Sequence, residues 1–153
     1  MPQSLNLVNF AALTPQELAL ACQRAMDGCD AILAGVVAIA PGTRTFANTL
    51  LPLEEATDLV SEVSGQYAFM AYVTANDELR TAAREWDEKL DKYMVGLGFR
   101  EDIYAAIKEF AASDAASELE GEAARWLEFE LRDYRRNGFD LPARERQKVR
   151  ELF

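Results

Sequence analysis

Histidine is absent from all 153 residues. Its absence removes from this chain Ser-His-Asp and Cys-His catalysis, the His-Glu-x-x-His zinc motif, histidine-based iron sites and the Glu-x-x-His di-iron motif, since each needs an imidazole as base or ligand. Cysteine is nearly absent: Cys22 and Cys29 are the only two, too few for a four-ligand structural zinc site without histidine. Seven residues apart on one helix, they would lie about 10 Å apart along its axis, beyond disulfide reach. Set among Ala, Ile, Leu and Met, they read as small buried hydrophobes in a reduced, cytoplasmic setting. Long apolar runs are missing too. The longest, Ala31 to Ala40, is about half a membrane span, and Met1 to Phe10 lacks the cationic start and apolar core of a secretory leader.

Positive charge is scarce: 16 Lys and Arg stand against 26 Asp and Glu, for a net charge of -10. This argues against nucleic acid as a partner, because phosphate contacts need a surplus of basic side chains. The deficit is uneven. Residues 132–153 carry seven basic and four acidic side chains, leaving nine basic and 22 acidic in residues 1–131. The cationic end reads first as a solvated helix face and second as a surface that docks on an acidic one.

What is present is apolar residues at helical spacing, half of the composition, in a chain the length of one domain. Thr14-Pro15-Gln16-Glu17 is a capping box with Pro at the first helical position. The stripe that follows, Leu18, Ala21, Cys22, Ala25, Cys29, Ile32, Leu33, Val36 and Val37, predicts a helix that Pro41-Gly42 ends. Gly28 and Gly35 weaken it, and close packing of a neighbouring helix is the expected compensation. A second helix is expected from Asn48-Thr49 to about Val73, with Pro52 in its first turn. A third runs over 77–95 behind an Asn76 cap, its apolar face including Leu79, Trp86, Leu90, Tyr93 and Met94.

Gly96-Leu97-Gly98 predicts left-handed or turn geometry, and a fourth helix then spans about 101–112 with Ile103, Ile107 and Phe110 inward. Ser117-Glu118-Leu119-Glu120 reads as a second capping box, opening a fifth helix through Leu119, Ala123, Trp126, Leu127, Glu130, Leu131 and Tyr134 that Asn137-Gly138 closes. Pro142 opens a sixth, still running at Phe153, so that the sequence reads as cut rather than finished. No period-two alternation appears. The expected fold is an all-α bundle of about five to six helices, mostly antiparallel neighbours joined by short turns, forming one domain over 1–153.

Chemistry-bearing patterns are few. Glu54, Glu55, Asp58 and Glu62 have the spacing for an acid/base pair or an oxygen-ligand metal site, but no calcium-type glycine loop accompanies them and a solvated face is the plainer reading. Gly96-Leu97-Gly98 lacks the third glycine and preceding strand of a phosphate loop. Trp86, Trp126, Tyr67, Tyr72, Tyr93 and Tyr104 sit among aliphatic neighbours and read as core. No catalytic, cofactor-binding or metal-binding residue is assigned.

Four segments in order carry a family resemblance: Thr45-Phe46-Ala47-Asn48-Thr49-Leu50-Leu51-Pro52-Leu53-Glu54, Asn76-Asp77-Glu78-Leu79-Arg80, Leu97-Gly98-Phe99-Arg100-Glu101-Asp102-Ile103-Tyr104 and Leu131-Arg132-Asp133-Tyr134-Arg135-Arg136-Asn137-Gly138-Phe139-Asp140-Leu141-Pro142. Together the chain resembles the N-terminal region of the zinc metallopeptidases of the thimet oligopeptidase and oligopeptidase A family. The resemblance implies a leading, non-catalytic helical portion of a longer protein, forming part of the wall of a channel that admits short peptides to a zinc held elsewhere. It implies a C-terminal catalytic domain of the same protein as partner and no cofactor in this chain. It also implies self-association of the isolated chain, should an apolar patch be left uncovered. The alternative is a free-standing helical interaction domain; an enzyme built on paired carboxylates ranks third.

Overall fold

A computed structural model describes residues 8–152. Among them every regular element is helical, and no strand occurs. Helix α1, Pro15–Val37, begins at the expected capping box: the Thr14 hydroxyl accepts from the Glu17 amide at 3.2 Å, and the Glu17 carboxylate accepts from the Thr14 amide at 2.9 Å. Leu18, Cys22, Ala25, Cys29, Leu33 and Val36 of the expected stripe are buried, whereas Val37, at the edge of the arc, is exposed.

The second expected helix starts two residues early and is a composite. Thr45 caps a π-helical turn, Phe46–Leu50, because Asn48 plays the part that Glu plays in α1, its Oδ1 accepting from the Thr45 amide at 2.7 Å. Helix α2, Leu51–Val63, follows with Pro52 in its first turn; a second π-helical turn, Ser64–Ala68, leads to the short α3, Met70–Val73. Helix α4, Asp77–Leu97, is capped by Asn76, whose side chain accepts from the amides of Glu78 and Leu79.

After α4 the chain passes through consecutive turn bonds, Gly98 to Val95, Phe99 to Gly96 and Arg100 to Leu97, without either glycine taking a positive φ. The turn expectation holds there and the left-handed one does not. Helix α5, Glu101–Ala111, carries Ile103, Ile107 and Phe110 into the core.

The expected capping box at Ser117 is not formed. Ser113 instead caps a single additional turn, α6, Asp114–Ser117, and the Ser117 hydroxyl donates back to the Asp114 carbonyl at 2.6 Å. Helix α7, Gly121–Tyr134, starts afresh behind an extended Glu120, with Gly121 at φ 59°. That left-handed residue is what Ser117 cannot supply, and it turns the chain into the new axis. Gly138, at φ 87°, then ends the π-helical turn Arg135–Phe139 as the Asn-Gly pair suggests. Helix α8, Ala143–Arg150, lies behind Pro142 and is followed by a turn at 151–152, while Phe153 falls outside the described residues.

Helices α1 and α2 are antiparallel: a Cβ on Gly28 would lie 3.1 Å from Leu59, while further along Leu33 and Leu53 border the same pocket. Only one of the two glycines in α1 therefore permits close packing, since Gly35 has nothing within 4 Å. Helix α4 returns alongside α1 in the same direction, with Lys89 reaching Gln23 at 3.1 Å and Tyr93 reaching Asp30 at 2.9 Å. The two are parallel because α2 and α3 carry the chain back between them. Tyr72, expected in the core, is 71% exposed and donates to Asp87 at 2.6 Å.

Candidate functional site

Three of the segments quoted above converge on one place. Tyr134 and Asn137 of the last segment hold the α4–α5 turn, the Tyr134 hydroxyl donating to the Leu97 carbonyl at 3.3 Å and the Asn137 amide to the Gly98 carbonyl at 2.9 Å. The Tyr134 ring stacks on Tyr104 with centroids 5.1 Å apart, and both rings pack on Phe139. The first segment joins through Phe46, set edge-on to Trp126 at 5.5 Å.

Between these elements lies a pocket of about 390 Å³, within the span of roughly 300–1,000 Å³ common for small-ligand sites. Leu33 of α1, Leu53 of α2, Leu97 and Ile103 give it an apolar floor; Trp126, Glu130 and Asp133 of α7 and Glu54 of α2 supply its polar side. The Trp126 indole donates to Glu130 Oε1 at 3.0 Å. Burial pushes the Glu130 carboxyl up from its ordinary range, helped by the charges of Asp133 and Glu54 and opposed by the Trp126 hydrogen bond.

This environment makes Glu130 a group that costs stability when ionised. A carboxyl whose folded-state pKa is raised contributes stability below its unfolded value of about 4.3 and loses it as pH rises through the folded value. Glu130→Gln is accordingly expected to raise the thermal midpoint near pH 7, with the gain shrinking as the pH falls toward about 4; paired melting curves at the two pH values check this. An equal shift at both would contradict it.

The four carboxylates singled out in the sequence are all exposed on α2, and of them only Glu54 borders the pocket; Glu62 accepts from Gln66 at 2.9 Å. The sequence reading placed Glu130 on an apolar face and gave it no role. The available signal was a carboxylate interrupting that face one turn after a tryptophan. No three Cys, Asp or Glu side chains among the described residues gather as metal ligands. A zinc centre of the kind the resemblance implies does not fit them.

Cys22 and Cys29 are fully buried and unbridged, and burial pushes the Cys22 thiol up to about 11, so it is a protonated, inert packing group. The cationic end finds acidic and aromatic partners within the domain itself. Arg146 pairs with Glu101 of α5 and lies 4.6 Å from the Phe139 ring centre, and Arg150 lies over Phe99.

Comparison with known proteins agrees with this arrangement. The family model for the N-terminal domain of neurolysin and thimet oligopeptidase matches residues 30–146, well over half of the chain. A thimet-like oligopeptidase of Dictyostelium discoideum is 29% identical over 134 residues, covering 83% of this chain and 19% of that protein. Oligopeptidase A of Salmonella typhimurium is 27% identical over 149 residues, covering 97% and 22%. Saccharolysin of Saccharomyces cerevisiae is 27% identical over 111 residues, covering 71% and 15%. The chain spans about a fifth of the length of the first two of these relatives. With the helical order, the converging segments and this match together, the chain belongs to the neurolysin and thimet oligopeptidase family, in the part described as its N-terminal domain.

Proposed function

We propose that this chain serves as the non-catalytic N-terminal domain of a zinc-dependent, cytoplasmic peptidase of short peptides, and that its helices form part of the wall of the substrate channel. The observation that carries the reading is a family match along most of a chain that contains no histidine and spans about a fifth of its relatives. The zinc and the water-activating glutamate would come from the catalytic part of the same protein, where the metal polarises the peptide carbonyl and its bound water. These helices would contribute shape, exclusion and contacts to the peptide.

A quenched fluorescent peptide tests this. The 153-residue chain should give no turnover with or without added zinc, whereas the longer protein that contains it should cleave the peptide and lose activity in EDTA. Hydrolysis by the purified 153-residue chain would overturn the assignment.

One observation keeps a second reading in play. Phe69, Tyr72 and Val73 are exposed together around α3, an apolar surface of the sort that marks an interface. In the peptidase reading it meets the remainder of the protein; in the reading as a free-standing interaction domain it meets a separate partner. Continuation of the reading frame into a His-Glu-x-x-His segment decides for the first.

A further inference from the structure

The pocket beside α7 joins an apolar floor to three carboxylates, of which two meet no cation among the described residues. Asp133 is paired with Arg132 at 3.0 Å and Arg136 at 3.4 Å. Glu54 and Glu130, by contrast, enter no ion pair among the described residues, although both line the cavity. One oxygen of Glu130 accepts from the Trp126 indole, which holds the carboxylate in place without cancelling its charge.

These features restrict what can occupy the space. An anion is repelled. A wholly apolar molecule would cover the partly buried Glu130 without compensating its charge, which opposes the gain from its own burial. A small metal ion finds no set of three ligands. What satisfies both halves is a cation on an apolar stem, its methylenes on leucine side chains and its head at the carboxylates. A guanidinium fits better than an ammonium, because its planar fork donates to two acceptors at once and also stacks on an indole face.

We propose that this pocket binds the side chain of an arginine in a peptide, with the stem against Leu33, Leu53 and Leu97 and the guanidinium at Glu54 and Glu130 beside Trp126. The guanidinium preference stands on the pocket alone; that the arginine belongs to a peptide rests on the peptidase reading above.

The test uses the 153-residue chain labelled with 15N and the peptide acetyl-Ala-Arg-Ala-amide, with acetyl-Ala-citrulline-Ala-amide as its neutral isostere. The arginine peptide should shift the Trp126 indole N–H resonance saturably, and the citrulline peptide should bind at least about tenfold more weakly, the loss of one charge-assisted contact. Glu54→Gln and Glu130→Gln should each weaken the arginine peptide by about the same factor while the circular dichroism spectrum is unchanged. Equal binding of the two peptides, shifts confined to other residues, or no effect of either substitution would overturn the proposal.

In the longer protein, Glu54→Gln should raise KM for an arginine-containing substrate relative to its citrulline counterpart and leave kcat unmoved. An unchanged KM ratio would mean that a basic side chain of the protein itself fills the pocket, and would also overturn the assignment to a peptide. Absence of any hydrolysis by the longer protein would instead sink the peptidase reading, and leave the titration of the isolated chain to judge the pocket.

Discussion

Phe110→Ala is expected to lower the stability of the domain by about 3–5 kcal/mol, the usual cost of emptying a core aromatic site, and the thermal midpoint by on the order of 10 °C for a chain of this size. Phe110 is among the largest fully buried side chains, at 0% exposure. It sits near the end of α5, a helix packed at once against α1, the turn that leads into α2, and α7. Such a site cannot collapse cheaply, because movement to fill the void would have to draw three elements together. The Ser113 hydroxyl, which donates to the Phe110 carbonyl at 2.7 Å and caps α6, ties the backbone here as well. Thermal or urea unfolding checks the result, and a loss under about 1 kcal/mol would show that α5 is held by its polar ends instead.

Arg44→Ala should cost about 1.5–3 kcal/mol, the range for hydrogen bonds that involve a charged group. Arg44 is only 8% exposed. Its Nη1 donates to the Val36 carbonyl at 2.8 Å and its Nη2 to the Ile39 carbonyl at 3.4 Å, so the guanidinium closes the C-terminal end of α1, where the helix dipole favours a cation. Nε donates to Glu109 at 2.8 Å, and the other oxygen of that carboxylate accepts from the Gly42 amide at 3.0 Å. The guanidinium next to Glu109 holds its carboxyl below the ordinary range, together with the Gly42 amide. One side chain thus joins the end of α1 to α5 through a turn. Arg44→Lys should recover only part of the loss, since an ammonium cannot direct donors to three separate acceptors. A midpoint for Arg44→Lys equal to that of the unsubstituted chain would mean that charge alone, and not the fork, does the joining.

Neither effect was visible in the sequence, for related reasons. Phe110 could be read as core from its spacing with Ile103 and Ile107, but which helices surround it depends on pairs far apart in the chain. Arg44 lay in the turn Pro41-Gly42-Thr43-Arg44, where a basic residue looks like ordinary surface. Its partner Glu109 is 65 positions away. The misplaced start at Ser117 has a different cause: the local pattern of a capping box was present, yet Ser113 offered an equivalent cap four residues earlier and Gly121 permitted the change of direction that α7 needs.

What the sequence determined by itself is the part that local physics sets. Apolar residues at a period near 3.6 fixed the helices, side-chain caps at Thr14 and Asn76 fixed two of their starts, Asn137-Gly138 fixed one end, and the missing imidazole removed histidine chemistry. Tertiary structure alone decided that Glu54, Trp126 and Glu130 border one pocket, that the cationic α8 finds acidic and aromatic partners within its own domain, and that Tyr72 faces solvent. The physical reason is range. A cap or an apolar stripe is specified within a few residues of chain, whereas the solvation of a carboxylate is set by whichever distant helices close over it.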